Sequence, residues 1–300
     1  DVTLVDCVIQ GNIRNYGTGE VRFEAPQITP ESTATKPSEV YKPGATLDRT
    51  LEYGGKTVPI YRDRPLNVFS DVDFIWTGEE NENQRRLEYL GGEFRTRYGI
   101  DVSSFQGEID WDAVADDNID FAMVRVGFRG TGTGSLNTDK YYEQNIRGAM
   151  RAGLETGVYF FAQAVTVEEA IEEADYVISL LDGLDINGPV AYDWEMHDST
   201  YRVYGTSPEM ATACAVAFCE RIKDAGYTPM VYGGTYVTYM KYDQGALADY
   251  LSWYPEYKSE KSEKLCPTLV YHMDYWQFSS SRAVAGINGR VDMNIQFIRR

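Results

Sequence analysis

The stretch Pro189-Val190-Ala191-Tyr192-Asp193-Trp194-Glu195 decides how this chain is read. Gly188 and Pro189 punctuate its start, and Val190, Ala191 and Tyr192 read as a short buried strand. Two acids follow with one residue between them. Strand side chains alternate faces, so Asp193 and Glu195 point the same way. At a rise of about 3.3 Å per residue, their Cα atoms stand roughly 6–7 Å apart. Carboxylates that close raise one another's cost of ionisation, so one of them can keep a proton near neutral pH. A protonated acid beside an ionised one is the pairing that glycosidic bond cleavage uses. A solvated acidic strand end gives the same three letters, so the flanking sequence has to decide.

From residue 98 onward, strand-like and helical runs alternate. Residues 98–102, 121–127 and 157–161 read as strands before the acidic stretch, and 229–232, 249–254, 269–278 and 290–298 as strands after it. The helical runs are 111–118, 139–152, 167–181 and 208–225. Tyr142, Ile146 and Ala149 share one face of the second, and Gly153 is placed to end it. Thr166 is the expected N-cap of the third, with Glu169 completing a capping box. Ser207-Pro208-Glu209 opens the fourth with a cap, a proline in the first turn and an acid at the positive end of the dipole. This alternation predicts a parallel α/β architecture. About eight strands in about 200 residues is tight for a (β/α)₈ barrel. The expected fold is therefore α/β, an irregular, helix-poor, TIM-like barrel with helices short or missing after its later strands.

Residues 1–90 differ in character. Residues 1–8 and 21–24 read as strands, and 27–44 as a proline-containing polar loop. Residues 51–61 read as a hairpin turning at Gly54-Gly55, and 66–76 as another β-rich run. The polar run 79–86 marks a boundary. The predicted division is a β-rich accessory segment or small module at 1–90 and a catalytic barrel at 91–300.

Barrel chemistry sits at the C-terminal strand ends. Those ends carry Asp101, followed by Ser103 and Gln106; Tyr159, Phe161 and Gln163; Asp193 and Glu195; Tyr232; Trp253 and Tyr254; Trp276 and Gln277; and Asp292 in the last strand. Each alone reads as structural. Four acids on one mouth do not, because unpaired acids there cost stability. The predicted catalytic set is Glu195, Asp193, Asp101 and Asp292. The predicted substrate contacts are Tyr159, Phe161, Tyr232, Trp253, Trp276 and Gln277.

The chain has 300 residues, 43% of them hydrophobic, and a formal net charge of −18. That charge argues against nucleic acid and against adsorption to anionic membranes. No apolar run is long enough to span a membrane. No signal peptide is visible, and the start at Asp1 reads as a trimmed or mature chain. Cys7, Cys214, Cys219 and Cys266 match no zinc spacing; Cys214 and Cys219 read as small buried groups on a helix.

Several stretches resemble glycoside hydrolase family 25, the lysozymes of the bacterial and phage muramidase type. They are Gly99-Ile-Asp-Val-Ser-Ser-Phe-Gln-Gly-Glu-Ile-Asp-Trp111, residues 121–127 and 157–161, Val190-Ala-Tyr-Asp-Trp-Glu195, Trp276-Gln-Phe, and Gly289-Arg-Val-Asp-Met-Asn294. The likeness covers about 98–300. It implies an irregular β/α barrel, no cofactor and no metal. It also implies hydrolysis of the β-1,4 bond between N-acetylmuramic acid and N-acetylglucosamine in a peptidoglycan glycan strand, by a secreted or wall-associated protein. It puts the general acid on Glu195, the partner carboxylate on Asp193, and the remaining cleft acids on Asp101 and Asp292. Direct attack by Asp193 and substrate-assisted attack by the 2-acetamido group both retain configuration. A chitinase-like hydrolase, a non-catalytic wall-binding module and a carboxylate-bound divalent metal are the other readings of the same residues. The pattern sets no oligomeric state.

Overall fold

The computed structural model describes residues 34–78 and 85–300. The strands expected at 1–8 and 21–24, Cys7 and most of the polar boundary run lie outside these residues. A short helix, α1 (Pro37–Val40), occupies part of the expected loop at 27–44. Two hairpins follow, β1 (Leu47–Tyr53) with β2 (Lys56–Tyr61) and β3 (Phe74–Thr77) with β4 (Arg86–Tyr89). The first turns at Gly54 and Gly55, both at positive φ.

The main sheet consists of β5 (Phe94–Val102), β6 (Phe121–Arg129), β7 (Leu136–Thr138), β8 (Glu155–Ala162), β9 (Val190–Trp194), β10 (Pro229–Tyr232), β11 (Leu251–Pro255), β12 (Tyr275–Arg282) and β13 (Val291–Arg299). Pairing runs β5–β6–β8–β9–β10–β11–β12–β13 and returns from β13 to β5, closing an eight-stranded barrel, with β7 added against the end of β6. The helices are α2 (Trp111–Asp116), α3 (Tyr142–Arg151), α4 (Val167–Leu180), α5 (Pro208–Asp224) and α6 (Thr235–Met240). Among the described residues none is long and apolar enough to cross a membrane. Only the six-residue α6 follows β10, and no α-helix follows β11 or β12, as the tight residue count requires.

One of the eight barrel strands departs from the expected parallel order. β13 runs antiparallel to both β12 and β5. The cause is the connection: residues 283–290 are too few for the crossover of about a dozen residues that a parallel pair needs. The reversal brings the start of β13, not its end, to the mouth, with Asp292 directly opposite Asp101.

Alternation along the strands makes two cores. Phe121, Met123, Ala191, Met230, Tyr232, Trp253 and Tyr275 fill the barrel. On the other face of β9, Val190, Tyr192 and Trp194 pack outward, with Tyr192 set 4.9 Å from Phe218 of α5. Gly99 makes room inside, since a Cβ there would lie 2.3 Å from the Phe121 ring. Ser207 caps α5 by accepting from Met210 N–H at 3.2 Å, and Thr166 caps α4 through Glu169 N–H at 3.2 Å. The expected capping box does not close. Glu169 accepts instead from Val165 N–H and pairs with Arg202 at 2.7 Å, because a guanidinium is the stronger partner. Cys214 and Cys219 are buried on α5.

The hairpins lie on the barrel. Phe69 packs 4.4 Å from Phe297 and Phe74 5.4 Å from Trp276. Tyr61 N–H donates to the Tyr271 hydroxyl at 3.0 Å.

Candidate active site

Asp193 is the last inward-facing residue of β9, buried at 5% exposure. Glu195 follows just beyond the strand, its side chain 25% exposed at the rim. The two carboxyls are in hydrogen-bonding contact. Neighbouring elements fix this turn. The Gln163 side-chain amide donates to the Glu195 carbonyl at 2.8 Å, and Trp194 Nε1 donates to Ala164 O at 3.1 Å. Gln163 N–H in turn donates to Glu173, which pairs with buried Arg129 at 2.7 Å. On the outer side, His197 Nε2 lies 2.6 Å from Glu195 Oε2.

A second acid pair faces the first. Asp101 on β5 and Asp292 on β13 are also in hydrogen-bonding contact. Asp101 Oδ2 accepts from Gln277 Nε2 at 2.9 Å and Asn294 Nδ2 at 2.8 Å. Both amides are oriented by aromatic donors: Tyr232 and Tyr257 hydroxyls donate to Gln277 Oε1 at 3.1 Å each, and Trp253 Nε1 donates to Asn294 Oδ1 at 2.8 Å. The amide oxygens are thereby occupied, and only N–H groups are left to face Asp101.

Burial is the first cause of every carboxyl shift here. It holds Asp193 well above the ordinary carboxylate range, reinforced by Glu195 and Asp101 and opposed by Arg125. It pushes Asp292 up to about 8, with the charge of Asp101 adding to it. Asp101 rises only to about 6, because Asn294 and Gln277 stabilise its ionised form. The mouth thus retains protons at neutral pH, and it does so chiefly on Asp193 and Asp292.

The four acids line a cleft of about 230 Å³ together with Tyr159, Phe161, Tyr232, Trp253 and Gln277. Trp276 does not reach it. Adjacent strand residues face opposite ways, so Gln277 points in and Trp276 out, where it is fully buried against Phe74 and Phe278 and donates to Glu256 O at 3.0 Å. The expected role of Trp276 as a sugar contact is therefore replaced by a packing role.

Several cleft residues escaped the sequence reading. Arg125 is the cleft's guanidinium; it pairs with buried Asp139 at 2.8 Å and lies under the Phe105 ring at 5.1 Å. Phe105 stands 85% exposed at the cleft edge, and Tyr257 comes from the loop after β11. A two-residue step from Met123 finds Arg125, and one from Asp292 finds Asn294. Tyr257 carries no such periodic signal. Past Glu195 the cleft continues into a cavity of about 350 Å³ lined by His197, Thr235, Tyr236 and Tyr257 among others.

The family model described as glycosyl hydrolases family 25 matches residues 100–287. The chain belongs to this family. It is 26% identical over 197 residues to an autolytic lysozyme of Clostridium acetobutylicum, covering 65% of this chain and 54% of that protein. It is 27% identical over 201 residues to lysozyme M1 of Streptomyces globisporus, covering 65% of this chain and 66% of that one. The chain thus spans about half the length of the first relative and about two thirds of the second. Among solved structures, the bacterial lysozyme of Streptomyces coelicolor superposes with a TM-score of 0.53 at 25% identity, over 66% of this chain and 90% of its own. Both hairpins lie outside the family 25 match. Asp292 and Asn294 also fall just beyond its last residue, although the β13–β5 register binds them to the family 25 barrel.

Proposed function

We propose that this chain is a lysozyme of the muramidase type, hydrolysing the β-1,4 bond between N-acetylmuramic acid and N-acetylglucosamine in peptidoglycan with retention of configuration, at the wall and outside the cytoplasm. The observation that carries the reading is the hydrogen-bonded Asp193–Glu195 couple at the base and rim of one cleft. Burial favours holding a proton on Asp193 in the resting couple, and the shared hydrogen bond is the path by which it reaches Glu195. Glu195, the more exposed member, then gives that proton to the leaving oxygen as the C1–O bond breaks.

The close approach of the two carboxyls supports retention over an inverting route, which uses carboxyls about 6.5–9.5 Å apart. Asp193 lies too deep to suit direct attack on C1, and its remaining oxygen suits the N–H of the substrate's 2-acetamido group. In this route the acetamido carbonyl oxygen bonds to C1 as the leaving group departs. Water then opens that ring, giving its proton to Glu195. The charge of Asp101 helps to keep the Asp193 proton in place, and the carboxyl of Asp292, itself protonated near neutral pH, faces Asp101. Tyr159, Phe161, Tyr232 and Phe105 offer aromatic surface to sugar faces.

The test is release of reducing ends from purified peptidoglycan by Glu195→Gln and Asp193→Asn. Each is expected to fall by about 10²–10⁴-fold. Near-wild-type release by either variant refutes its role. Preferential turnover of chitin oligomers would move the substrate to a plain β-1,4-N-acetylglucosamine polymer.

A further inference from the structure

The outer face of α6 lines a second large cavity, of about 430 Å³, that the proposed reaction does not use. One wall is the first hairpin and the segment before it, with Tyr41, Lys56, Pro59 and Tyr61; the other is the start of α5 with Glu209 and the end of α6 with Tyr239. The hairpin lies outside the family 25 match, so this cavity depends on sequence that the matched region does not supply. Its position bears on its use. α5 and α6 both follow barrel strands at their C-terminal ends, so the cavity opens beside the barrel mouth. Thr235, Tyr236 and Val237, the first half of α6, line the cavity that continues from Glu195; Thr238, Tyr239 and Met240, the second half, line this one. A six-residue helix is about 9 Å long. The two cavities are therefore neighbours across a single short helix.

The lining suits a neutral, hydroxyl-rich ligand. Tyrosine and proline faces predominate, while Lys56 and Glu209 stand exposed at the rim, a donor and an acceptor rather than a single-sign patch. Asp243, the other carboxylate, is already occupied by the N–H groups of Gly44, Gly245 and Ala246.

We propose that this cavity is an accessory saccharide site, which holds uncleaved sugar units of the same glycan strand whose scissile bond lies at Glu195. The proposal rests on the glycan-cleaving reading of the cleft, and its test separates the two. The double variant Lys56→Glu/Tyr61→Ala and the single Lys56→Glu, whose side chain is exposed, are compared with the parent chain in a Glu195→Gln background by pelleting with insoluble peptidoglycan. The same substitutions in the active background are assayed on a short soluble glycan fragment. Pelleting affinity is expected to weaken about fivefold for the double variant, the loss of one aromatic contact. The rate on the short fragment should stay within about twofold of the parent. Unchanged pelleting overturns the proposal, and so does an equal loss on the short fragment. A concentration-dependent dimer that the same substitutions dissolve would give the cavity to a second copy and overturn it as well. If the parent releases no reducing ends from any substrate, the reading of the cleft fails, while pelleting still decides the accessory site.

Discussion

Asp292 and Asp101 make the site's electrostatics testable one residue at a time. Burial raises Asp292 to about 8 and Asp101 to about 6. In the unfolded chain both titrate near their ordinary value of about 4. A raised carboxyl contributes stability that is fully present below the unfolded pKa and is lost as pH rises through the folded one. Between about pH 4 and 8 the folded state therefore binds protons that the unfolded state has released, and stability falls across that window. Asp292→Asn removes its share. Its unfolding free energy, measured by denaturant titration at pH 4 and pH 8, is expected to fall less than the parent's by on the order of 2 kcal/mol, below the nominal value because the pair is coupled and partly exposed. A parent curve that rises over the window relative to the variant would contradict the assignment. Asp101 also acts on catalysis, since its charge helps to raise Asp193. Asp101→Asn is thus expected to shift the alkaline limb of kcat/KM against pH to lower pH, where a merely structural role would lower the rate without moving the limb.

The two faces of β12 separate packing from chemistry at the scale of one element. Trp276 is fully buried between the β3–β4 hairpin and the barrel, and Gln277 faces Asp101. Trp276→Ala is expected to cost about 3–5 kcal/mol in stability with kcat/KM intact below its melting point. Gln277→Ala should cost less stability and lower kcat/KM, because Asp101 loses an oriented donor; chemical denaturation and reducing-end assays on both variants read the difference. Element by element, the sequence was legible where periodicity and punctuation agree. The expected strand 229–232 matches β10 at both ends, and the starts of α2, α4 and α5 fall where Trp111, Thr166 and Ser207 put them. It was less legible where pairing direction matters. Nothing local in the β13 sequence states that it runs antiparallel; the short loop before it does. The same holds for the site. Asp193 and Glu195 follow from a two-residue period, and Asp101, Gln277 and Asp292 from their places on the strands at the mouth and from the family resemblance. Trp276 shares its place with Gln277, but the alternation along β12 turns it to the outer face. Tyr257 and Phe105 come from loops, where no period operates.

At the scale of the whole molecule, residues 35–78 and 85–90 share one hydrophobic core with the barrel. Ile60, Phe74, Trp76 and Leu87 belong to the same buried cluster as Phe94, Trp276 and Phe297. Arg64 ties the segment between the hairpins to the barrel. It is 5% exposed and donates to Gln244 Oε1, Leu247 O and Tyr250 O, each at 3.2 Å. Those acceptors lie on the loop leading into β11, the strand that carries Trp253. A side chain that spends its donors on three barrel groups cannot be released without leaving buried carbonyls unpaired, at about 1–3 kcal/mol each. The segment is therefore not expected to melt on its own. Calorimetry should give one transition for residues 35–300, with calorimetric and van't Hoff enthalpies equal. Arg64→Met should lower that single transition by roughly 2–4 kcal/mol of stability rather than split it. A self-standing module would behave differently. It would show an early transition of its own, the Arg64 substitution would move only that step, and the barrel, with Trp253 still packed on Tyr159 and Tyr232, would unfold at an unchanged temperature.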